Sequence, residues 1–415
     1  MAFAYRDGAL CAEQVPLEEI AQRFATPCYV YSRAAIERNY AAYARALAGH
    51  ASLIAYSVKA NSNLAVLALM ARLGAGFDIV SGGELTRVIA AGGEPRKVLF
   101  SGVGKSEAEI EQALGAGILC LNLESEAELD RVDTIAARLG ARAAVALRVN
   151  PDVDAKTHPY ISTGLSQNKF GVAYAEAERL CRDAARRKHV RLIGVGCHIG
   201  SMMTDPAPYV AAAERIAALA ARLEEAGIRL SHLDLGGGIG VRCRNESPAP
   251  VAEFMRGALA ALGGRAETLI VDPGRSIVGE AGILLTRVEY VKRGEAKSFA
   301  VVDAAMNDLL RPSLYDAWHE VLPVREIRSR AAGVYDVVGP VCESADFLAR
   351  DRRLDPRAGD LLAVMCAGAY GMVMSSNYNS RPRAAEVMVS GSTAHLVRRR
   401  ETVPELFAAE AIPSW

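Results

Sequence analysis

From residue 53 onward, short apolar runs alternate with longer stretches in which apolar positions recur at helical spacing. The runs at 53 to 58 (LIAYSV), 76 to 80 (GFDIV), 97 to 100 (KVLF), 118 to 121 (ILCL), 144 to 149 (AVALRV), 192 to 197 (LIGVGC), 232 to 235 (HLDL) and 268 to 271 (TLIV) predict strands. Helical spacing fills 63 to 73, 84 to 91, 106 to 114, 125 to 139, 175 to 188, 207 to 226 and 250 to 262, and glycine follows several of these stretches at the expected stop. Eight strands separated by helices need crossover connections and therefore run parallel. The pattern predicts an α/β fold, an eight-stranded β/α (TIM-type) barrel over residues 27–280. An open doubly wound sheet has the same alternation.

The rhythm changes at either end. A small strand and a short helix from Leu17 to Phe24 precede Pro27, and Ser32 caps a helical run from Ala34 to Leu47 closed by Gly49. After residue 281 short β-like runs (LLTRVEYVK, SFAVVDA, VYDVVG, LLAVMCA, AAEVMVSG, AHLVRRR) follow one another through turns. They predict a second, mostly β domain over 281–415, completed by residues 1–26.

Basic and acidic residues number 48 each in 415 residues, and this balance argues against nucleic acid or an anionic membrane as partner. No run is long enough to span a bilayer, and the first thirty residues lack a basic start followed by an apolar core, so a cytoplasmic protein is expected. The eight cysteines form no CxxC pair and no disulfide framework, so reduced thiols and no metal are expected.

In a β/α barrel, chemistry collects at the carboxyl ends of the strands. Polar or glycine-rich residues stand there six times: Lys59, Asp78 with Ser81, Arg148 with Asn150, His198, Gly236 to Gly238, and Asp272 to Arg275. A lysine at a strand end is by default solvated, and a lone histidine is by default a satisfied core residue. HLDLGGGIGV and VDPGRS are two glycine turns after adjacent strands, which suits a phosphate; neither has the dinucleotide or P-loop spacing. An amine, an imidazole and an acid around one phosphate site suit pyridoxal phosphate.

The segments AYSVKAN (55 to 61), GFDIVSGGEL (76 to 85), NPDVDAKTHPYISTGLSQNKFGV (150 to 172), CHIGS (197 to 201), LDLGGGIGV (233 to 241), DPGRS (272 to 276), DAAMNDLLRPSLYDAWH (303 to 319), GPVCESADFLARDR (339 to 352) and GAYGMVMSSNYNSRPRAAEV (368 to 387) carry a resemblance. Together they make the chain similar to the fold-type III, alanine-racemase-like decarboxylases that use pyridoxal 5'-phosphate, most of all to the branch acting on meso-diaminopimelate. The resemblance implies that Lys59 forms the Schiff base with the cofactor, that His198 stacks on its ring and that Asp78 is among the cofactor-binding residues. It implies that Ser201, Gly236, Gly237, Gly238, Gly274, Tyr370 and the backbone of Arg275 hold the phosphate, with Asp272 at the ring nitrogen. Arg275, Arg311 and Tyr315 would bind the distal carboxylate of the amino-acid substrate, Glu343 its distal amine, and Tyr370 would complete that site. Cys342 or Lys59 would return a proton to the α-carbon, and Cys342 and Glu343 would come from a second subunit, in a homodimer with shared sites.

Two positions depart from the family pattern. Asp272 replaces the usual glutamate, which shortens the reach by roughly 1.5 Å, and Met202 replaces the usual glutamine after HIGS. Decarboxylation of ornithine, arginine or lysine is the nearest rival, but those substrates lack a distal carboxylate for Arg275, Arg311 and Tyr315. A racemase, a catalytically silent cofactor binder and a phosphate-binding barrel are further rivals. Residues 151 to 168, rich in polar and turn types, are the segment expected to close over the site.

Overall fold

A computed structural model describes residues 2–154, 169–326 and 332–415. The chain divides into two compact units, one of residues 39–241 and 247–276 and one of residues 1–38, 242–246 and 277–415.

The first unit is the barrel. Its strands are β1 (Ser52–Ser57), β2 (Gly76–Ile79), β3 (Val98–Phe100), β4 (Cys120–Leu123), β5 (Ala143–Asn150), β6 (Val190–Gly196), β7 (His232–Asp234) and β8 (Thr268–Val271). All eight fall within two residues of the apolar runs that predict them. Every neighbouring pair is parallel, β8 pairs with β1, and β5 joins β4 through Leu121↔Val145 and β6 through Val190↔Ala143, which closes the ring. Closure, rather than the open alternative, leaves no unpaired edge. Ala55, Leu99, Cys120, Ala146, Ile193 and Ile270 fill the interior, one from each of six strands. Burying each large aliphatic side chain among them contributes about 2 kcal/mol.

Serine caps start three of the intervening helices. Ser81 Oγ accepts the Glu84 N–H and Ser125 Oγ the Glu128 N–H, each at 3.2 Å, and Ser106 forms a reciprocal capping box with Glu109. Ser81 and Ser125 each stand two residues past the end of a strand, so there the turn from strand to helix is short.

The second unit is mostly β, as expected, but its boundary differs. Strand Cys28–Ser32 lies in its sheet, antiparallel to Gly282–Arg293 and parallel to Ala385–Ser390, so the unit extends to Arg38 rather than ending at residue 26. The strand is buried on both faces: Tyr29 and Tyr31 enter one apolar cluster, Cys28 and Val30 another. Residues 3–16 form a separate three-stranded sheet. Strand Phe347–Leu354 (FLARDRRL) is not predicted, because four charged residues mask its alternation; Leu348, Arg352 and Leu354 are buried all the same.

Candidate active site

The carboxyl ends of the barrel strands converge on a pocket lined by Lys59, Asp78, Ser101, Asn122, Arg148, His198, Asp234 and Asp272. Lys59 lies in a single 3-10 turn directly after β1, so strand and turn together fix its backbone. Its Nζ is 3.1 Å from Asp78 Oδ2. Asp78 also accepts hydrogen bonds from Ser101 Oγ (2.6 Å) and Ser57 Oγ (3.2 Å). Burial alone would raise its pKa, but the Lys59 charge and the Ser101 hydroxyl outweigh burial and hold it below the ordinary carboxylate value.

His198 follows β6 directly. Its Nδ1 accepts the Gly237 N–H at 3.3 Å, which puts the proton of the neutral ring on Nε2. The same Nδ1 lies 3.6 Å from Asp272 Oδ1; with no proton between the two atoms, this is a contact and not a hydrogen bond. Asp272 Oδ1 is buried and has no hydrogen-bond partner among the described residues. Asp234, absent from the sequence-derived site, is buried, and burial followed by the Asp272 charge pushes its pKa well up.

The loop after β6 and the triple-glycine loop after β7 are joined: the Met203 N–H donates to Gly238 O (3.0 Å) and the Gly240 N–H to Met203 O (2.8 Å). A Cβ on Gly238, whose φ is +98°, would lie 2.2 Å from Gly200 O, and one on Gly237 would lie 2.5 Å from Asp272 O. Gly274 would meet Ala60 Cβ at 2.9 Å. Only glycine lets these backbones approach. Arg275 Nε donates to Ser201 Oγ at 3.2 Å, so the side chain expected at the substrate is tied to the residue expected at the phosphate. Met202 adopts φ +68° in this turn. An accessible amine, an unpartnered buried acceptor and glycine turns that present bare backbone fit pyridoxal phosphate.

In the second unit, Arg311 opens the helix Arg311–Tyr315 and is 7% exposed, with Tyr315 one turn on. Cys342 and Glu343 are exposed, and the Cys342 N–H donates to Asn379 Oδ1 (2.9 Å) while Tyr378 Oη donates to Glu343 Oε2 (3.4 Å). Tyr370 is half-buried at φ +55°, beside Gly368 and Gly371, whose Cβ atoms would strike backbone oxygens. Sequence reasoning misses Asp346, which accepts from Met306 N (2.6 Å) and Val341 N (2.8 Å) and ties the segment carrying Arg311 to that carrying Cys342. Of the segment expected to close over the site, residues 155–168 lie outside the described residues.

Residues 33–279 match the family described as pyridoxal-dependent decarboxylase, pyridoxal binding domain. The whole chain is similar to a diaminopimelate decarboxylase of Pseudomonas aeruginosa, 59% identical over 410 residues and covering 99% of both chains.

The chain belongs to the diaminopimelate decarboxylase family.

A second family member, from Vibrio cholerae, is 53% identical over 98% of this chain and 97% of its own. The crystal structure of the family member from Helicobacter pylori complexed with L-lysine has a TM-score of 0.92 and 45% identity, covering 95% of this chain and 99% of that one. Pyridoxal phosphate is the cofactor of this family, and no helix among the described residues is long and apolar enough to cross a membrane.

Proposed function

We propose that this chain removes CO2 from meso-2,6-diaminopimelate to give L-lysine, the last step of lysine biosynthesis. The observation that carries the choice of substrate is the buried guanidinium of Arg311 with Tyr315 one turn away. A planar fork of N–H donors suits a carboxylate, and ornithine, arginine and lysine have none at the distal end.

When bound, pyridoxal phosphate withdraws the electron pair left at the α-carbon by departing CO2. Lys59 would hold the cofactor through its amine, with Asp78 keeping that amine in place. Asp272 Oδ1 would accept a hydrogen bond from the protonated ring nitrogen, and the absence of a competing donor among the described residues supports that role. His198, tethered to the Gly237 N–H, would stack on the ring. Ser201, Gly236 to Gly238, Gly274, Tyr370 and the backbone of Arg275 would bind the phosphate. Arg275, Arg311 and Tyr315 would take the distal carboxylate, Glu343 the distal amine, and Cys342 or Lys59 would return the proton to the α-carbon.

Exposure of Cys342 and Glu343 on the single chain supports a homodimer in which a second copy receives them. Eight free thiols support a reducing, cytoplasmic setting. The deciding experiment is CO2 release by the purified, cofactor-loaded protein from meso-diaminopimelate, with L-ornithine, L-arginine and L-lysine in parallel. Release confined to diaminopimelate is expected; preference for a substrate without the distal carboxylate would overturn the assignment.

A further inference from the structure

The helix that Arg311 opens is short for a local reason. Asp316 adopts the left-handed conformation (φ +49°) and its N–H returns to Arg311 O, so the chain doubles back after five helical residues. His319, three residues further on, is thereby brought against the residue that began the helix: Arg311 Nη1 and His319 Nε2 are 3.2 Å apart. His319 is fully buried.

The protons of this pair are fixed by the partners. A guanidinium only donates, so His319 Nε2 accepts, and Nδ1 must carry the proton. Nδ1 lies 2.7 Å from Met365 O, an acceptor that requires that proton. The carbonyl is held opposite by strand register: Val321 pairs with Val364, and the Met365 N–H donates to Glu320 O at 2.8 Å. The other side of the imidazole's backbone is pinned as well, because Arg352 Nη2 donates to His319 O at 2.8 Å while its guanidinium lies over the Trp318 ring.

We infer that His319 is the positioning residue for Arg311, a neutral acceptor that aims the guanidinium at the distal carboxylate of the substrate. The inference rests on the reading of Arg311 given above. A carboxylate in the place of His319 would orient the guanidinium but cancel its charge. A neutral imidazole occupies one of five N–H donors and leaves the positive charge for the substrate. His319 therefore sets substrate affinity and selectivity without touching the reacting atoms.

Two polar substitutions separate the two hydrogen bonds. His319→Asn keeps a donor near Nδ1 for Met365 O and offers nothing at Nε2; His319→Gln keeps an acceptor near Nε2. Steady-state kinetics on the full-length, cofactor-loaded variants should show KM for meso-diaminopimelate raised about tenfold in H319N, with kcat within about threefold of the parent, and most of that loss recovered in H319Q. The H319N effect on KM should vanish when Arg311→Met is also present. An unchanged KM in H319N, equal damage in both variants, or the same KM penalty without Arg311 would overturn the inference. If R311M alone leaves KM unchanged, the assignment of Arg311 to the carboxylate fails first, and the two failures are thus told apart.

Discussion

Asp78 Oδ2 and Lys59 Nζ form a lopsided pair: the carboxylate side chain is 2% exposed and the lysine 34%. The amine can reach a ligand while its counter-charge stays inside the barrel. Removing the lysine strands a buried anion, a change that costs more than removing both charges. Lys59→Ala should abolish decarboxylation and lower the stability of the apo protein by about 1–2 kcal/mol, and adding Asp78→Asn should return part of that loss. Chemical denaturation of the single and double variants measures it. Because the folded pKa of Asp78 is depressed, the stabilisation is present above its unfolded value of 3.8 and is lost as pH falls below it.

Asp272→Asn leaves the fold of the strand end intact but presents no anion from Oδ1. The expected result is retained visible absorbance of bound cofactor with kcat reduced by about tenfold or more. An unaltered kcat would remove Asp272 from the ring nitrogen.

Gly194 on β6 gives His232 on β7 its space: a Cβ there would sit 2.2 Å from the imidazole Nε2. Gly194→Ala should destabilise the barrel by about 2–3 kcal/mol, and His232→Ala should rescue much of that deficit. Burial also depresses the His232 pKa to about 4 from 6.5. Stability from this group is full above 6.5 and lost as pH falls toward 4, so His232→Leu should flatten the acid limb of a stability profile between those values.

Glu84 behaves in the opposite sense. Burial raises its pKa to about 7 from 4.5, although its Oε2 accepts the Val80 N–H at 2.7 Å. Its contribution is greatest below 4.5 and is lost as pH rises through about 7. Glu84→Gln keeps an acceptor for Val80 and carries no charge, so the variant should be more stable than the parent by about 2 kcal/mol at pH near 8 and match it at acid pH. Thermal unfolding across that range checks the divergence.

Much of the barrel is legible in the chain because its signal is local. Apolar runs, helical spacing and serine caps recur within a few residues of one another, and the polar residues at strand ends fall where a barrel opens. Lys59, Asp78, His198 and Asp272 do line one pocket. The motif segments similarly mark Arg311, Cys342 and Tyr370, whose chemistry is that of their residue types.

Pairings between distant positions have no such local signal. Strand Cys28–Ser32 reads as an entry to the barrel until its register with Gly282–Arg293 and Ala385–Ser390 shows it at the heart of the β unit. Asp234 differs from any strand-end aspartate only through its burial beside Asp272, and His232 only through the space left by Gly194. His319 becomes a fixed acceptor only when the strand ending at Val364 brings Met365 alongside. The amino-acid order alone determined periodicity, caps and chemical types. Burial, proton placement and long-range contact were decided by the tertiary structure, because each depends on atoms brought close by folding and not by sequence.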